Sequence, residues 1–555
     1  MRIRFLVLTL VFALFAAIMP TACGGGAPAA TTAAATEAAK TTAAATTAAT
    51  TKAAETTAAE APAKSAQPWD TSKNDEVVLS VIDNYYTAGW KKMAADYTAL
   101  HPETKVTVDV VSDNDAYFAK MTTWLTGDTW TDSADIIHIN FAQGPVGGYS
   151  VMFKKGMIYD FRKMFDEPNP YNGGKPFKDC LDMNAVALDT APEGVFAIPF
   201  DWVGVAIIYN KSLLESKSLS MPTSYEQFDA VCKKLRDGGM QYPIAASAEA
   251  SWYLMAFADA AFRGQEQEFL VQPEDAIWEE ELMAPNRDFK FDENDFTRDR
   301  FTVFSPERMA KWRRENKGTD PKTVAVWEQF GNIAKYFTQN FAAAASTEII
   351  STFEMGNAAF IISGSWNIGV LNAEINAMGD KGFEWGSMPF PPYENPPAGF
   401  QKVMRTLYGV GNTMGIVMPK GEGDHLERVK DFYKFVYCPD GCKAMFETTL
   451  NAGNFIQGPP AIKGFTLPEE LVLKMNGFIQ EGAGKADFSA VIGQDAYLAE
   501  DKGAYVDALN KFLAGETDAK TFCETVSPIW MRYLDDHIEK NGFDLDPSTK
   551  DTPKE

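Results

Sequence analysis

The stretch from Gly24 to Ala66 limits the fold more than any other part of the chain, because it consists almost entirely of Ala and Thr. It contains no aromatic and no large aliphatic residue, so it cannot bury enough apolar area to offset the entropy lost on ordering. The many β-branched Thr residues and the Pro residues also disfavour a stable helix. We expect a flexible tether with an r.m.s. span of roughly 40 Å, from about 5–6 Å times the square root of its length.

The residues before this tether have the order of a secretory signal. Two Arg residues precede an apolar stretch from Phe5 to Met19, as in the charged and apolar regions of such signals. The small pair Thr21 and Ala22 directly before Cys23 resembles the bacterial lipoprotein signal, in which that cysteine is lipidated. Pro20 departs from the aliphatic residue usual in that family.

We therefore predict a signal peptide over residues 1–22 and, over residues 23–74, a lipidated Cys23 followed by a disordered tether. The alternative is an uncleaved anchor helix, but the apolar stretch is shorter than the roughly 20 residues that a membrane span needs. Both interpretations place the folded part outside the cytoplasm, and the first anchors it to the cell membrane by lipid.

The composition of the folded part excludes several classes of protein. About 480 residues follow the tether, enough for two or three domains. The chain carries 51 basic and 75 acidic residues, a net charge of −24, which repels phosphate backbones and makes nucleic acid an unsuitable partner. Five cysteines remain after Cys23, an odd number that cannot all pair within the chain. We expect buried thiols, or one small-loop disulfide between Cys438 and Cys442, and no metal site.

The first folded stretch alternates strands and helices. Val77–Ile82 is a short apolar run typical of a strand covered on both faces, and residues 105–110 and 134–140 predict two further strands. Apolar residues at helical spacing predict helices around residues 90–97 and 117–125. This order favours an open parallel sheet, whose ligands bind at the carboxyl ends of the strands.

A second α/β region is predicted from Val195 onward, with a helix over Ser224–Arg236 that Ser224 or Thr223 caps. Residues 263–322 are rich in charge and broken by Pro, and we interpret them as an insertion that decorates one lobe. The Pro-rich passage at 388–397 predicts either a crossing between lobes or a long surface loop.

Signals for enzymes are largely absent. The sequence has no HExxH, no GxSxG and no phosphate-binding GxxxxGK[ST], which removes the usual support for zinc proteases, α/β-hydrolases and nucleotide hydrolases. Acidic residues are abundant enough that a pair of carboxylates for glycoside hydrolysis could meet in space.

Several motifs, in the same order along the chain, resemble the extracellular sugar-binding proteins of ATP-driven importers. Residues 194–214, GVFAIPFDWVGVAIIYNKSLL, are similar to the central "Y-G-I-P … Y-N-K" signature of that family. Residues 221–228 resemble its "P-x-T-W-x-E" helix start, residues 353–366 its "F-x-x-G-K-A-A-M … G-x-W", and His101-Pro102 with Ala134-Asp-Ile136 its "H-P-x-I-x-V … P-D-V".

The resemblance implies a two-lobed α/β fold of the periplasmic-binding-protein type, class II, with the ligand in a cleft between lobes that close over it. We expect lobe 1 to comprise residues 75–203 plus about 388–440, and lobe 2 to comprise residues 204–387 plus about 441–545. Residues 546–555 are expected to form a disordered tail. The resemblance implies a monomeric binding subunit that delivers a carbohydrate to the permease of an ABC transporter, without catalysis or cofactor; the chain length favours an oligosaccharide.

The resemblance also implies the ligand-binding residues. Sugar rings need flat aromatic side chains for their C–H faces and carboxylates or amides for their hydroxyls. Trp366 corresponds to the stacking tryptophan of "G-x-W", and Trp252 to another stacking aromatic of many relatives; core packing is the alternative for both. Asp201 and Trp202, between the turn and the next strand, are expected to face the cleft.

The end of the first strand supplies further candidates, because the family often places a ligand contact there. At least one of Asn84, Tyr85 and Tyr86 should face the cleft, and strand alternation forbids that Tyr85 and Tyr86 both do so. Four weaker candidates complete the predicted site: Asn140, Trp385, Arg405 and Asn454.

Two alternatives to a sugar importer remain open from the sequence. One is a surface-anchored enzyme that degrades polysaccharide, a glycosidase or lyase, which the acidic content permits. The other keeps the binding role but changes the ligand to a peptide, polyamine or metal chelate. An Arg pair or several His residues in the cleft would indicate the second.

Overall fold

The computed structural model describes residues 67–83, 85–126, 130–139, 149–191, 194–275, 277–293, 295, 298–339, 341, 344–405, 408–418, 423–478 and 488–545. Cys23, the predicted tether up to residue 66 and the predicted tail over residues 546–555 lie outside these ranges. Within them, no helix is long and apolar enough to cross a membrane.

The described strands are β1 Asp75–Ile82, β2 Thr104–Val111, β3 Ile136–His138, β4 Pro168–Asn169, β5 Lys175–Pro176, β6 Thr190–Ala191, β7 Gly194–Val195, β8 Asp201–Asn210, β9 Ile244–Ala245, β10 Phe360–Gly364, β11 Trp385–Met388, β12 Tyr408–Gly411 and β13 Met414–Ile416. The described α-helices are α1 Thr87–Leu100, α2 Asn114–Leu125, α3 Tyr149–Lys154, α4 Arg162–Phe165, α5 Met183–Val186, α6 Lys211–Ser216, α7 Tyr225–Asp237, α8 Ser251–Phe262, α9 Glu280–Asp288, α10 Pro306–Asn316, α11 Pro321–Ala334, α12 Ser346–Glu354, α13 Ile368–Ala377, α14 Asp424–Val436, α15 Pro439–Asn451, α16 Glu469–Met475, α17 Ser489–Ile492, α18 Lys502–Leu513 and α19 Ala519–Asn541.

Lobe 1 is built on a four-stranded sheet in the order β13-β3-β1-β2. β1 is parallel to β2 and to β3, and β13 joins the edge antiparallel to β3. The sequence prediction of alternating strands and helices is therefore confirmed for β1, α1, β2, α2 and β3. Because the three parallel strands run the same way, their carboxyl ends meet at one edge of the sheet.

Lobe 2 is built on a second sheet in the order β11-β8-β10-β9. Its central strand, β8, pairs antiparallel with β10 and β11 along residues 205–210. The first part of the same strand, residues 201–204, pairs antiparallel with β12. β12 is therefore the fifth strand of this sheet, and β8 pairs with β12 along its first residues and with β10 and β11 along the rest.

Both sheets are covered on both faces. In β8, Val205 and Ile207 belong to the core of lobe 2, whereas Ala206 and Ile208 belong to the cluster on the opposite face. A similar alternation places Leu79 of β1 and Ile137 of β3 in different clusters of lobe 1. Burial of each such aliphatic side chain contributes about 1.5–3 kcal/mol, so the sheet order follows from apolar runs that must be covered on both sides.

Chain segments that cross between the lobes lie side by side. Ile198 bridges Met414 of β13 in lobe 1, and a few residues later β8 enters lobe 2. The return runs through β12 into β13. A further segment follows α15: Phe455 bridges Tyr85, Pro460 bridges Asp201, and α16 then packs on β11.

The Pro-rich passage after β11 forms a loop, but its aromatic side chains are buried and not on the surface as the surface-loop alternative implies. Phe390, Tyr393 and Phe400 pack in the core of lobe 2, and the backbone N–H of Tyr225 on α7 donates to the carbonyl of Pro392 at 2.9 Å. The predicted limits of the lobes stay a prediction. For the boundary between the first part of lobe 2 and the second part of lobe 1, these contacts favour a position nearer residue 405 than residue 388.

The folded part begins before β1. Trp69 is buried, and the Arg428 guanidinium of α14 lies 5.5 Å from its ring centroid. The same guanidinium donates to the carbonyls of Asp70 and Lys73 at 2.9 and 2.7 Å. Residues 67–74, which the sequence assigned to the tether, are thus held against lobe 1.

Candidate functional site

Two tryptophans form one wall of the candidate site in lobe 2. Trp366 follows the carboxyl end of β10, and Trp252 lies at the start of α8. Their rings meet edge to face, with centroids 6.4 Å apart and an interplanar angle of 63°, and both side chains are half-buried. Gly364 allows this position, because a Cβ there would lie 2.1 Å from Cε2 of the Trp366 ring.

The carboxylate of Glu249 lies beside these rings. Glu249 belongs to a short 3-10 helix, Ala248–Ala250, that follows β9. Its Oε2 accepts hydrogen bonds from Ser363 Oγ at 2.8 Å and from the Gly364 backbone N–H at 3.2 Å. Because β9 and β10 are parallel, their carboxyl ends bring this acidic group and Trp366 together.

Tyr85 is the candidate contact residue on the side of lobe 1. It follows the carboxyl end of β1, bridges Phe455 and is half-buried. Burial raises the pKa of Tyr85, and the negative charges of Glu249 and Asp201 raise it further. Tyr85 of lobe 1 and Glu249 of lobe 2 are thus within electrostatic range of each other.

Tyr86 points into the core instead. It is 0% exposed and packs edge to face against Phe200 and Phe446, at centroid distances of 5.6 and 5.4 Å. Its φ of 54° places it in the left-handed region, where non-glycine residues are uncommon. Its hydroxyl donates a hydrogen bond to Oδ2 of Asp201.

Asp201 begins β8 and is also 0% exposed. Besides the Tyr86 hydroxyl, its Oδ2 accepts the backbone N–H of Gln457 at 3.2 Å. Burial raises the pKa of Asp201 to about 7, against the hydrogen bonds from Tyr86 and Gln457, which lower it. In this arrangement the carboxylate faces the crossing segments, not open space.

Trp202, the next residue of β8, is half-buried. Its backbone N–H donates to the carbonyl of Pro459 at 2.8 Å. Gly458 makes this approach possible, since a Cβ there would lie 1.6 Å from the Trp202 carbonyl oxygen. The loop after α15 is therefore packed directly on the first crossing strand.

A sequence model of the family described as bacterial extracellular solute-binding protein matches residues 92–467. This chain belongs to that family. Its members bind solutes and are not catalytic, and membership places this solute-binding protein outside the cytoplasm.

Solved structures share the fold of this solute-binding protein. RafE in complex with raffinose is 16% identical, with 82% of this chain and 100% of that chain covered and a TM-score of 0.51. An apo form of RafE from Streptococcus pneumoniae (15%; 83% and 98%; 0.54) and a chitin oligosaccharide binding protein (15%; 83% and 99%; 0.52) are similar to this chain over the same extent. No curated protein sequence matches this chain.

Three of the weaker sequence candidates lie in structural contacts. Asn454 Oδ1 accepts the Ala88 N–H at 3.0 Å, at the start of α1. Trp385 is buried in β11, with Lys474 Nζ 5.0 Å from its ring centroid. Arg405 is buried in an ion network described next. Asn84 and Asn140 lie outside the described residues, and ligand contact by any of the predicted residues stays a prediction.

The Arg405 network ties the insertion to α8. Arg405 Nη2 lies 2.6 Å from Asp259 Oδ1, and its Nη1 lies 3.0 Å from Asp299 Oδ2. Burial lowers the pKa of Arg405, but the charges of Asp259 and Asp299 outweigh it and raise the pKa. Loss of one partner in such a buried pair leaves an uncompensated charge, which destabilises by about 3–5 kcal/mol.

Glu249 and Gln457 were missed by the sequence interpretation. Glu249 stands on a short turn without a family motif, and the sequence pattern predicted no strand before it that would have indicated its place at the end of β9. Gln457 donates its backbone N–H to Asp201 and accepts the Asn412 N–H through its Oε1, and both partners are distant in the sequence. The sequence left two alternatives for the cysteines, buried thiols or one disulfide between Cys438 and Cys442. All five described cysteines are free and buried, which agrees with the first alternative.

Proposed function

We propose that this protein is the carbohydrate-binding subunit of an ABC importer and captures a sugar or oligosaccharide between its two lobes. The observation that carries the proposal is the Trp252–Trp366 pair with the Glu249 carboxylate held beside it. Aromatic faces suit the C–H faces of a pyranose ring, and a carboxylate accepts hydrogen bonds from its hydroxyls.

The places of Tyr85 and Glu249 in the fold support capture between lobes. Tyr85 follows β1 in lobe 1 and Glu249 follows β9 in lobe 2, so a ligand that contacts both residues contacts both lobes at once. Such a ligand stabilises the closed arrangement in proportion to its extra contacts there. The permease would recognise that closed arrangement, and no catalytic step is assigned to the protein.

The similar solved structures support a carbohydrate as the ligand class. One contains raffinose and another is named for chitin oligosaccharide. For this chain, we propose Trp366, Trp252, Glu249, Tyr85 and Trp202 as the residues that contact the sugar. This set contains no Arg pair and no His, the residues that would indicate one of the non-sugar ligands.

We also propose that Cys23 carries the lipid and that residues 24–66 form the tether between membrane and lobe 1. The support is the order of signal, cysteine and Ala/Thr-rich stretch in the sequence. A monomer suffices for this role, because the proposed ligand contacts all come from one chain.

Calorimetric titration of the purified full-length protein tests the binding proposal. The panel should contain raffinose, chitin oligosaccharides, neutral monosaccharides, uronates and amino sugars. We expect saturable binding of at least one saccharide, and none of the same strength for the W366A variant. W278A is the matched control, since Trp278 is also half-buried but lies in the insertion, with its Nε1 donating to Glu280 at 3.2 Å.

Two outcomes would contradict the proposal. One is the absence of heat across the whole panel together with binding of a peptide or polyamine. The other is the release of shorter saccharides from a bound glycan that stops in the E249Q variant, which would indicate a glycosidase or lyase.

A further inference from the structure

One hydrogen-bonded network joins the crossing segments at the base of the cleft. Asp201 at the start of β8 accepts from the Tyr86 hydroxyl and from the Gln457 backbone N–H. Gln457 in turn accepts the backbone N–H of Asn412 through its Oε1 at 2.8 Å. Asn412 lies between β12 and β13, so the network connects the turn after β1, the outgoing strand, the returning strand and the loop after α15.

The backbone around this network is strained. Tyr86 has a φ of 54° and Asn412 a φ of 44°. A non-glycine residue held in the left-handed region costs on the order of 1 kcal/mol or more and persists only where its surroundings hold it. Asp201 Oδ1 and Asn412 Nδ2 are buried without a hydrogen-bond partner among the described residues. The surrounding hydrogen bonds therefore hold this arrangement against a cost.

Among the described titratable groups around Asp201, the Asp201 carboxylate is the one whose charge changes near neutral pH. Phe200 precedes it, and Phe446 stacks on the Phe200 ring at a centroid distance of 5.4 Å. The titratable groups that face Asp201 from neighbouring elements are Tyr85, Tyr86, Tyr437 and Cys442. Burial raises the pKa of each of these groups above its ordinary value of 9.0 or 10.0.

We propose that Asp201 is a positioning residue and not a ligand contact: through Tyr86 and Gln457 it holds Tyr85 against the cleft, and ionisation of its carboxylate loosens this hold. The proposal rests on the proposed function for its effect on sugar binding. Its physical basis is that a carboxylate among phenyl rings is stable there when neutral and requires water when charged. Water reaches the Asp201 carboxylate when the crossing segments separate.

The sign of the pH dependence follows from the direction of the shift. Burial moves the pKa of Asp201 up from 3.8 to about 7, so the positioned arrangement binds a proton more tightly than the loosened one. The arrangement is fully favoured below about pH 4 and becomes less favoured as the pH rises toward 7. Because one proton is involved, sugar affinity should fall by at most about tenfold per pH unit over this range and level off above about pH 7.

The test measures two quantities on the full-length protein between about pH 5 and pH 9. The first is calorimetric affinity for raffinose or for whichever chitin oligosaccharide binds. The second, without any sugar, is hydrogen exchange of residues 85–88 and 455–458, corrected for the intrinsic pH dependence of exchange. Four proteins are compared: wild type, D201N, Y86F and E354Q.

E354Q is the matched control because Glu354 on α12 also has a pKa raised to about 7, by burial and then by Glu374. In the wild type we expect affinity to fall and exchange to rise with increasing pH, with the change ending near pH 7. D201N should make both profiles flat. Y86F should extend the change to higher pH, since the Tyr86 hydrogen bond lowers the pKa of Asp201. E354Q should match the wild type.

The proposal is overturned if D201N keeps the wild-type exchange profile, if E354Q loses it, or if the wild type shows no pH dependence in these segments. If D201N does not fold, the Y86F variant is the test instead. A pH profile of hydrogen exchange in Y86F that is not shifted to higher pH relative to the wild type then overturns the proposal. If no saccharide binds to any variant, the proposed function fails, whereas the exchange profiles still decide the role of Asp201.

Discussion

The Tyr86 hydroxyl donates a hydrogen bond to the carboxylate of Asp201, and both side chains are 0% exposed. The two residues stand 115 positions apart in the chain. Tyr85, the neighbour of Tyr86, is only half-buried and bridges Phe455. Adjacent tyrosines thus serve different purposes, one as a candidate ligand contact and one as an internal tie between lobe 1 and the strand that leaves it.

Replacement of Tyr86 by Phe should reduce the free energy of unfolding by about 1–3 kcal/mol, because it leaves a buried carboxylate without one of its donors. Urea denaturation at neutral pH measures this change. Y242F serves as a control, since Tyr242 is only half-buried and its hydroxyl accepts from Gln241 at the surface. Equal stability of Y86F and wild type would contradict the role given to this hydrogen bond.

Replacement of Trp366 by Ala should weaken sugar binding by about tenfold or more, which corresponds to about 1.4 kcal/mol of lost stacking. Thermal unfolding should change less than in the W327A variant, because Trp327 is buried in the core of lobe 2 and Trp366 is only half-buried. Calorimetry and a thermal melt of both variants check the prediction. Unchanged affinity in W366A would assign this ring to the core.

Replacement of Glu249 by Gln keeps the size of the side chain and removes its charge. We expect affinity for neutral sugars to fall about tenfold, since hydrogen bonds to a charged acceptor are stronger than those to an amide. Affinity for uronates, relative to neutral sugars, should rise because the repulsion between like charges is removed. E226Q is the control: Glu226 on α7 likewise accepts two hydrogen bonds, from the backbone N–H groups of Glu394 and Asn395 at 2.9 Å each. An identical sugar preference in E249Q and wild type would exclude Glu249 from the site.

The stability of lobe 1 should depend on the protonation of His425. Its Nδ1 lies 2.8 Å from Asp75 and its Nε2 lies 2.8 Å from Asp135, and the hydrogen bond with Asp135 is the main cause that raises its pKa to about 9. This contribution is complete below the ordinary pKa of 6.5 and is lost as the pH rises through about 9.

The H425A variant should therefore be less stable than wild type by on the order of 1–2 kcal/mol at neutral pH, and the difference should shrink above about pH 9. Denaturation at several pH values measures it. H537A is an opposite control, because burial lowers the pKa of His537 and its protonation costs stability at low pH. A constant difference for H425A at all pH values would contradict the assignment of charge.

Deletion of Ala29 to Ala61 should leave sugar affinity unchanged and reduce uptake by cells. Trp69 and the segment after it are held on lobe 1, so the deletion does not reach the folded part, but it shortens the reach from membrane to permease. Transport of labelled sugar and calorimetry separate the two effects. A Gly/Ser segment of equal length should restore uptake, and a loss of affinity would show that the tether does more than hold.

Local features were predictable from the sequence because they depend on neighbours in the chain. Ser224 caps α7 by accepting the Gln227 N–H at 3.2 Å, and Asn210 ends β8 and caps α6, as expected from their residue types. The parallel pairing of β1 with β2 and β3 followed from short apolar runs separated by helical patterns. The family motifs predicted the two-lobed fold that the solved structures share.

The candidate site was predictable only in part. Trp366 and Trp252 were identified through motifs, and their edge-to-face contact is consistent with a shared role. Arg405 shows the limit of that approach, since its ion pairs with Asp259 and Asp299 join segments more than 100 residues apart. Nothing in the local sequence of an Arg tells whether its partners are a ligand or two buried carboxylates.

What the sequence by itself determined is the division into a tether that cannot bury apolar area and an α/β body that can, with the strand and helix periods that set its elements. What only the tertiary structure decided is which of two adjacent tyrosines is fully buried, and that Glu249 accepts hydrogen bonds from Ser363 and Gly364 next to Trp366. The physical reason is that periodicity and capping act over a few residues, whereas burial and charge pairing depend on which distant segments the fold brings together.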